Sequence, residues 1–155
     1  MEIKEIQHAL ENCELFKSLE RSDVEQISSI CTMREYRAGE YVFRQGESGE
    51  MIYIIASGQV FLERAVDLGS RKGKAVIGML EKGRAFGCWS TILNEPHNLM
   101  SSAFCNRDAK VVVMNGSSLR SVMLGNTEMG FKMLERICLL LRDRLRGALG
   151  AMEKI

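Results

Sequence analysis

Apolar residues recur at helical spacing near the start of the chain, give way to short alternating runs through the middle, and return to helical spacing at the end. Ile3, Ile6, Ala9 and Leu10 fall on one face of a first helix. After a break near Leu15 and Phe16, Ser22 with Glu25 has the form of a capping box, and Val24, Ile27 and Ile30 form the buried stripe of a second helix. Across residues 33–114, runs rich in valine, isoleucine, tyrosine and phenylalanine alternate with glycines at 39, 46, 49, 58, 73, 83 and 87. That punctuation predicts a β-roll or barrel, with strands at 41–43, 51–55, 59–63, 75–80, 100–104 and 110–114. A long helix follows Gly125 and Asn126, with Asn126 as its N-cap and Glu128 favourably placed in its first turn.

The length of 155 residues, 46% of them hydrophobic, suits one domain with one core. Residues 1–125 are expected to form the β-roll with its N-terminal helices, and residues 126–155 a C-terminal helix belonging to the same domain. Lysine and arginine number 21 against 20 acidic residues, a net charge of +1, so no global field draws in nucleic acid or an acidic membrane. The basic cluster Arg71, Lys72 and Lys74 lies among turn-forming residues and reads as a solvated hairpin tip. Five cysteines, odd in number and never in a C-x-x-C pair, argue against a disulfide framework or a structural zinc site and fit a reducing cytoplasm. Charges at Glu2, Lys4 and Glu5 interrupt the N-terminal apolar residues, so no signal peptide is expected, and no run is long enough to predict a membrane span. Paired carboxylates, a nucleophile with its base, and a metal-ligand cluster are all missing at workable spacing, so neither an enzyme nor a cofactor or metal is expected.

The stretch Tyr36-Arg37-Ala38-Gly39-Glu40 through Gln45-Gly46-Glu47-Ser48-Gly49 to Ala56-Ser57-Gly58-Gln59-Val60 resembles the cyclic-nucleotide-binding domain family, as in the sensor domain of catabolite-activator-type regulators. The resemblance extends from Leu15-Phe16-Lys17-Ser18-Leu19 to the C-terminal helix. It implies a mainly β fold with flanking helices, a double-stranded β-helix or jelly-roll. It also implies a cassette in which a glutamate binds the ribose hydroxyl and an arginine binds the cyclic phosphate. The corresponding run here begins Phe86-Gly87-Cys88-Trp89-Ser90 and continues through Pro96-His97-Asn98. Cys88 stands at the glutamate position and His97 at the arginine position, and a one-residue shift puts Asn98 there instead. Each missing charge-assisted bond is worth about 1.5–3 kcal/mol, so affinity for a cyclic nucleotide is expected to fall by roughly two to four orders of magnitude.

Phe86, Gly87, Cys88, Trp89, Ser90, His97 and Asn98 are therefore the candidate ligand-binding residues of a degenerate cassette. The leading expectation is a stand-alone regulatory or interaction module that takes a small anion other than the usual cyclic nucleotide, or no ligand, and acts on an unidentified protein partner. A weak cyclic-nucleotide receptor and a thiol-based redox sensor at Cys88 are the alternatives, the latter because a helix N-terminus favours a thiolate. In the last helix Leu134, Cys138, Leu141, Leu145, Ala148 and Met152 follow four- and three-residue steps, the seam of a coiled coil, beside a second stripe of Met133, Ile137 and Leu140. One stripe covers the roll. The other is expected to form a homodimer through Leu134, Cys138, Leu141, Leu145 and Ala148, with Arg136, Arg142, Arg144 and Arg146 on the solvated face. No helix-turn-helix follows, so no DNA-binding half is expected.

Overall fold

The helical periodicity near the start becomes α1 (Glu2–Glu11) and α2 (Arg21–Ser28) in the computed structural model, which describes residues 2–87, 89–95 and 97–154. The middle folds as β1 (Cys31–Tyr36), β2 (Tyr41–Phe43), β3 (Ser48–Gly49), β4 (Met51–Ser57), β5 (Val60–Asp67), β6 (Lys72–Leu80) and β7 (Ala85–Gly87). A short 3₁₀ helix, Trp89–Leu93, leads to β8 (His97–Asn98), β9 (Ser102–Cys105) and β10 (Ala109–Asn115). Two helices close the chain, α3 (Gly116–Gly125) and α4 (Thr127–Met152).

One sheet has the order β1-β10-β4-β7 and faces a second of order β2-β9-β5-β6, with β3 and β8 paired apart from both. Successive side chains of a strand point to opposite faces, so the unbroken apolar runs of β4 and β10 serve two cores. Ile52 and Ile54 join Val112 and Met114 in a cluster with all four helices. Tyr53 and Ile55 join Val111 and Val113 in the layer between the sheets, with Phe43, Val60, Leu80 and Phe86. Each of these fully buried aliphatic side chains contributes about 1.5–3 kcal/mol.

Several boundaries differ from the sequence expectation. The β5–β6 hairpin is longer at its tip, because cross-strand pairing from Val60↔Leu80 out to Asp67↔Lys72 carries the polar ends along; Arg71, Lys72 and Lys74 are exposed there, as expected of a hairpin tip. Strand β1 and helix α3 carry weak patterns of their own. Strand β1 is ordered by pairing with β10 from Cys31↔Met114 to Tyr36↔Ala109, and α3 by Asn115, whose side chain accepts the backbone N–H groups of Ser117 and Ser118. Helix α2 begins two residues ahead of the expected box, with Glu20 and Asp23, not Ser22 and Glu25, forming the reciprocal pair. Asn126 caps α4 as expected, accepting the Met129 N–H at 3.2 Å. No helix among the described residues is long and apolar enough to cross a membrane.

Two consequences of this packing are measurable. Gly116 opens α3 directly against the 3₁₀ helix, where a Cβ would overlap the Oγ1 of buried Thr91. Gly116→Ala should cost about 1–3 kcal/mol through overpacking and lower Tm by several degrees; an unchanged melting curve would mean that the 3₁₀ helix is free to shift away from α3. Burial also raises the thiols: Cys13 is pushed up to about 12 and Cys105 to about 11, desolvation being the main cause in each. The unfolded chain then loses these protons first, so stability is complete below pH 9 and declines as pH rises from about 9 towards 11 or 12. Thermal denaturation across that window should show the decline, and Cys13→Ala should make it shallower. Alkylation at neutral pH should modify exposed Cys138 ahead of Cys13, Cys31 and Cys105.

Candidate functional site

The cassette hangs from β7. Gly87 pairs with Ile52, Phe86 with Tyr53 and Ala85 with Ile54. Phe86 is buried and stacks on Tyr53 with ring centres 5.2 Å apart and planes 16° from parallel, and Phe43 tilts against both rings. Gly87 has φ +133°, and a Cβ there would press on the Met51 carbonyl oxygen, so the strand leaves the sheet at a position that only glycine fills without strain. Cys88, Pro96 and the side chain of Ser90 lie outside the described residues.

Beyond Gly87 the 3₁₀ helix packs on α3. Its Ile92 and Thr91 are buried, and Arg120 donates to the Ile92 carbonyl at 2.8 Å. Asn94, with φ 56°, turns the chain out of the helix, and β8 then pairs His97 with Gly49 and Asn98 with Ser48. Leu99 is buried and anchors the return through two backbone bonds, to Gly46 and Glu47, each of 2.8 Å.

Two adjoining cavities separate this cassette from α4. The first, of about 440 Å³, is lined on the cassette side by Gly87, Trp89, Leu93, His97 and Asn98, and on the helix side by Leu134, Ile137, Cys138 and Leu141. The second, of about 380 Å³, reaches into the roll between Phe43, Leu62, Phe86 and Leu99, and α4 covers it with Leu141, Leu145, Ala148 and Met152. Gly87, Trp89, Leu99, Met100 and Leu141 line both. The structure thus brings together two residue sets that the sequence presents as unrelated, the cassette and the seam of the last helix. Both volumes fall in the range of roughly 300–1,000 Å³ usual for small-molecule sites.

Helix α4 meets the domain through Met133, Ile137 and Leu140, the stripe expected to cover the roll, together with Met129, all four buried. The other stripe faces the cassette across the cavities while staying partly open: Leu134 is 44% exposed, Leu141 40% and Leu145 60%. Arg144 departs from the solvated face assigned to it. Its side chain is 16% exposed, it donates to the Ala85 carbonyl, and its guanidinium lies 3.8 Å from Glu14. Glu14 in turn accepts from Arg84 Nε at 2.8 Å and from the Ala85 N–H at 2.9 Å. Burial is the largest influence on Arg144 and pulls its pKa below the usual guanidinium value, with Glu14 opposing. Arg142 and Arg146 are exposed, as expected, and Arg136 is half-buried.

No carboxylate lines either cavity among the described residues. His97 and Asn98, both exposed, reach the first cavity and not the second. The second instead receives two guanidiniums from outside the cassette, Arg64 on β5 and Arg144 on α4, together with Ser101. Sequence reasoning passes over Arg64: it has the same strand parity as buried Leu62, but it lies on the outer half of β5 and is itself exposed, where a charge is ordinary. Among the described residues no group of three His, Cys, Asp or Glu side chains could hold a metal ion.

Comparison with known proteins agrees with this architecture. A solved cyclic nucleotide-binding domain from Methylobacillus flagellatus superposes with a TM-score of 0.79 at 19% identity, over 99% of this chain and 84% of its own. The sensor domain of the transcriptional regulator DNR from Pseudomonas aeruginosa gives a TM-score of 0.74 at 19% identity, covering 94% and 95% of the two chains. A cAMP-dependent protein kinase regulatory subunit from Mycosarcoma maydis is 31% identical over 104 residues, 66% of this chain, which spans only 19% of that relative's length. The sequence model of the cyclic nucleotide-binding domain matches residues 33–126, the roll but for the first two residues of β1 together with the cassette and α3, and the chain belongs to that family.

Proposed function

We propose that the chain is a non-catalytic regulatory domain of the cytoplasm whose ligand site is the paired cavity beneath α4, and that it does not hold cyclic AMP or cyclic GMP in the manner of a regulatory kinase subunit. The carrying observation is the chemistry of the walls: apolar side chains dominate, no carboxylate among the described residues lines them for a ribose hydroxyl, and the cassette offers His97 and Asn98 in place of a guanidinium. A sugar hydroxyl buried there without a partner costs about 1–3 kcal/mol. An apolar group gains roughly 25 cal/mol for each Å² removed from water. Titration calorimetry with cyclic AMP and cyclic GMP should therefore give dissociation constants no tighter than roughly the high-micromolar to millimolar range. A submicromolar constant for either nucleotide would overturn this reading.

The helix supplies the output. Leu134, Leu141 and Leu145 line the cavities from α4 yet keep 40–60% of their surface open, so a ligand beneath them and a partner above them compete for or share the same side chains. We assign the partner as a second copy of this chain, with the two α4 helices side by side along the seam from Leu134 to Met152, since its four- and three-residue steps suit helix pairing. Fully burying a leucine yields about 1.5–3 kcal/mol, enough for three per chain to offset the cost of association. Sedimentation at micromolar concentration should report twice the mass of one chain. Leu141→Glu should yield a folded monomer, because the new carboxylate would face its own copy. A monomeric parent protein would remove the dimer from the proposal.

A further inference from the structure

We infer that the cavity is built for a hydrophobic monoanion, an aliphatic or aromatic body carrying one carboxylate or equivalent group, and that Arg64 recognises the charge. This rests on the reading of the paired cavity as the ligand site and adds the class of ligand and the residue that selects it. Two guanidiniums line the inner cavity, and their circumstances differ. Arg144 is committed: it donates to the Ala85 carbonyl and lies 3.8 Å from Glu14, which is already bonded to Arg84. Arg64 has no carboxylate within 4.0 Å among the described residues, and its one described hydrogen bond runs to the Met100 carbonyl at 2.5 Å. A guanidinium carries five N–H donors in a planar fork, so most of those on Arg64 remain for a bidentate acceptor.

Strand register explains why this arginine reaches the cavity. Leu62 pairs with Ala103 and Glu63 with Ser102, the last pair of that ladder, and exposed Arg64 follows just beyond it with the parity of Leu62, whose side chain forms part of the wall, and donates to the Met100 carbonyl next to Ser101. Ser101 adds a hydroxyl donor beside the guanidinium. The remaining lining is apolar, Phe43, Leu62, Phe86, Leu145 and Met152 among it, apart from the indole N–H of Trp89, and no carboxylate among the described residues lines it to pair a second cation or take a sugar hydroxyl. One uncompensated cation at the mouth of an apolar space selects one anionic group on an apolar body. Arg64 belongs to β5, outside the cassette, so this anion site does not depend on the cassette positions that lack an arginine.

Calorimetry with octanoate and with 1-octanol isolates the charge, and displacement of the fluorescent apolar monoanion 8-anilinonaphthalene-1-sulfonate reports the same site independently. Octanoate should bind about tenfold or more tighter than 1-octanol. Arg64→Gln should abolish that difference while leaving 1-octanol unchanged, and Ser101→Ala should weaken only octanoate. Arg142→Gln, an exposed arginine that pairs with Asp143, should change neither. Equal affinity for acid and alcohol, or a preference that survives Arg64→Gln, overturns the role of Arg64 but leaves an apolar ligand site standing. Equal losses in Arg64→Gln and Arg142→Gln would make the preference one of diffuse charge and would also overturn it. Failure of all three probes to bind, or displacement of the fluorophore by submicromolar cyclic AMP, overturns both this inference and the reading on which it rests.

Discussion

Strands β4 and β10 are buried on both faces, and the rest of the molecule is arranged around that constraint. A strand of a two-sheet sandwich ordinarily shows one face to water; here Ile52, Ile54, Val112 and Met114 would be stranded if the helices did not cover them. Covering them ties α1, α2, α3 and α4 to one side of the first sheet and leaves the other side for the aromatic layer of Phe43, Tyr53 and Phe86. Helix α4 is consequently anchored in one core while its continuation lies over the mouth of the other. Met129, Met133, Ile137 and Leu140 hold it down, and Leu141, Leu145 and Ala148 are carried out above the cassette. The cavity exists because the residues that fasten the helix are different from the residues that roof the site.

The same division explains what the amino-acid sequence reveals. Strands were legible at 41–43, 51–55 and 110–114 because apolar, β-branched and aromatic side chains persist there whichever face they serve. Strand β1 reads ambiguously, since its exposed and half-buried positions carry Thr32, Arg34 and Glu35 and its order comes from pairing with β10. Helix α3 follows β10 without a break, and its start is set by the Asn115 cap and by contact with Thr91, neither of which has a periodic signature.

The candidate site was legible in its parts and not in their assembly. Gly87, Trp89, His97 and Asn98 stand out by likeness to a cassette, and Leu134, Cys138, Leu141, Leu145 and Ala148 by heptad spacing, but nothing in linear order says that they share one cavity. That fact depends on where Ile137 and Leu140 dock α4. Arg144 misleads for a related reason: it sits among arginines that do face water, and only the joining of Ala85 to Glu14 through the Ala85 N–H puts a carbonyl and a carboxylate together for it to meet. Arg64 is hidden because an exposed charge on the outer half of β5 is ordinary, and nothing in linear order says that it borders a cavity.

An apolar site of this kind discriminates asymmetrically. Each methylene buried against Phe43, Leu62 or Leu145 adds only about 0.8 kcal/mol, so ligands of neighbouring size are poorly separated. A hydroxyl brought into the same walls loses its water and finds no carboxylate, and the penalty excludes sugars more strongly than size excludes chains. On the proposed reading, the loss of the cassette's charged anchors changes what the domain tells apart, towards apolar molecules against polar ones. It also changes how occupancy reaches α4. A ligand shifts a helix only through a difference in affinity between the two positions of that helix. Here the roof itself, Leu134, Leu141 and Leu145, supplies the apolar surface that a ligand would cover. On the proposed reading, binding and helix position are coupled by the same buried area.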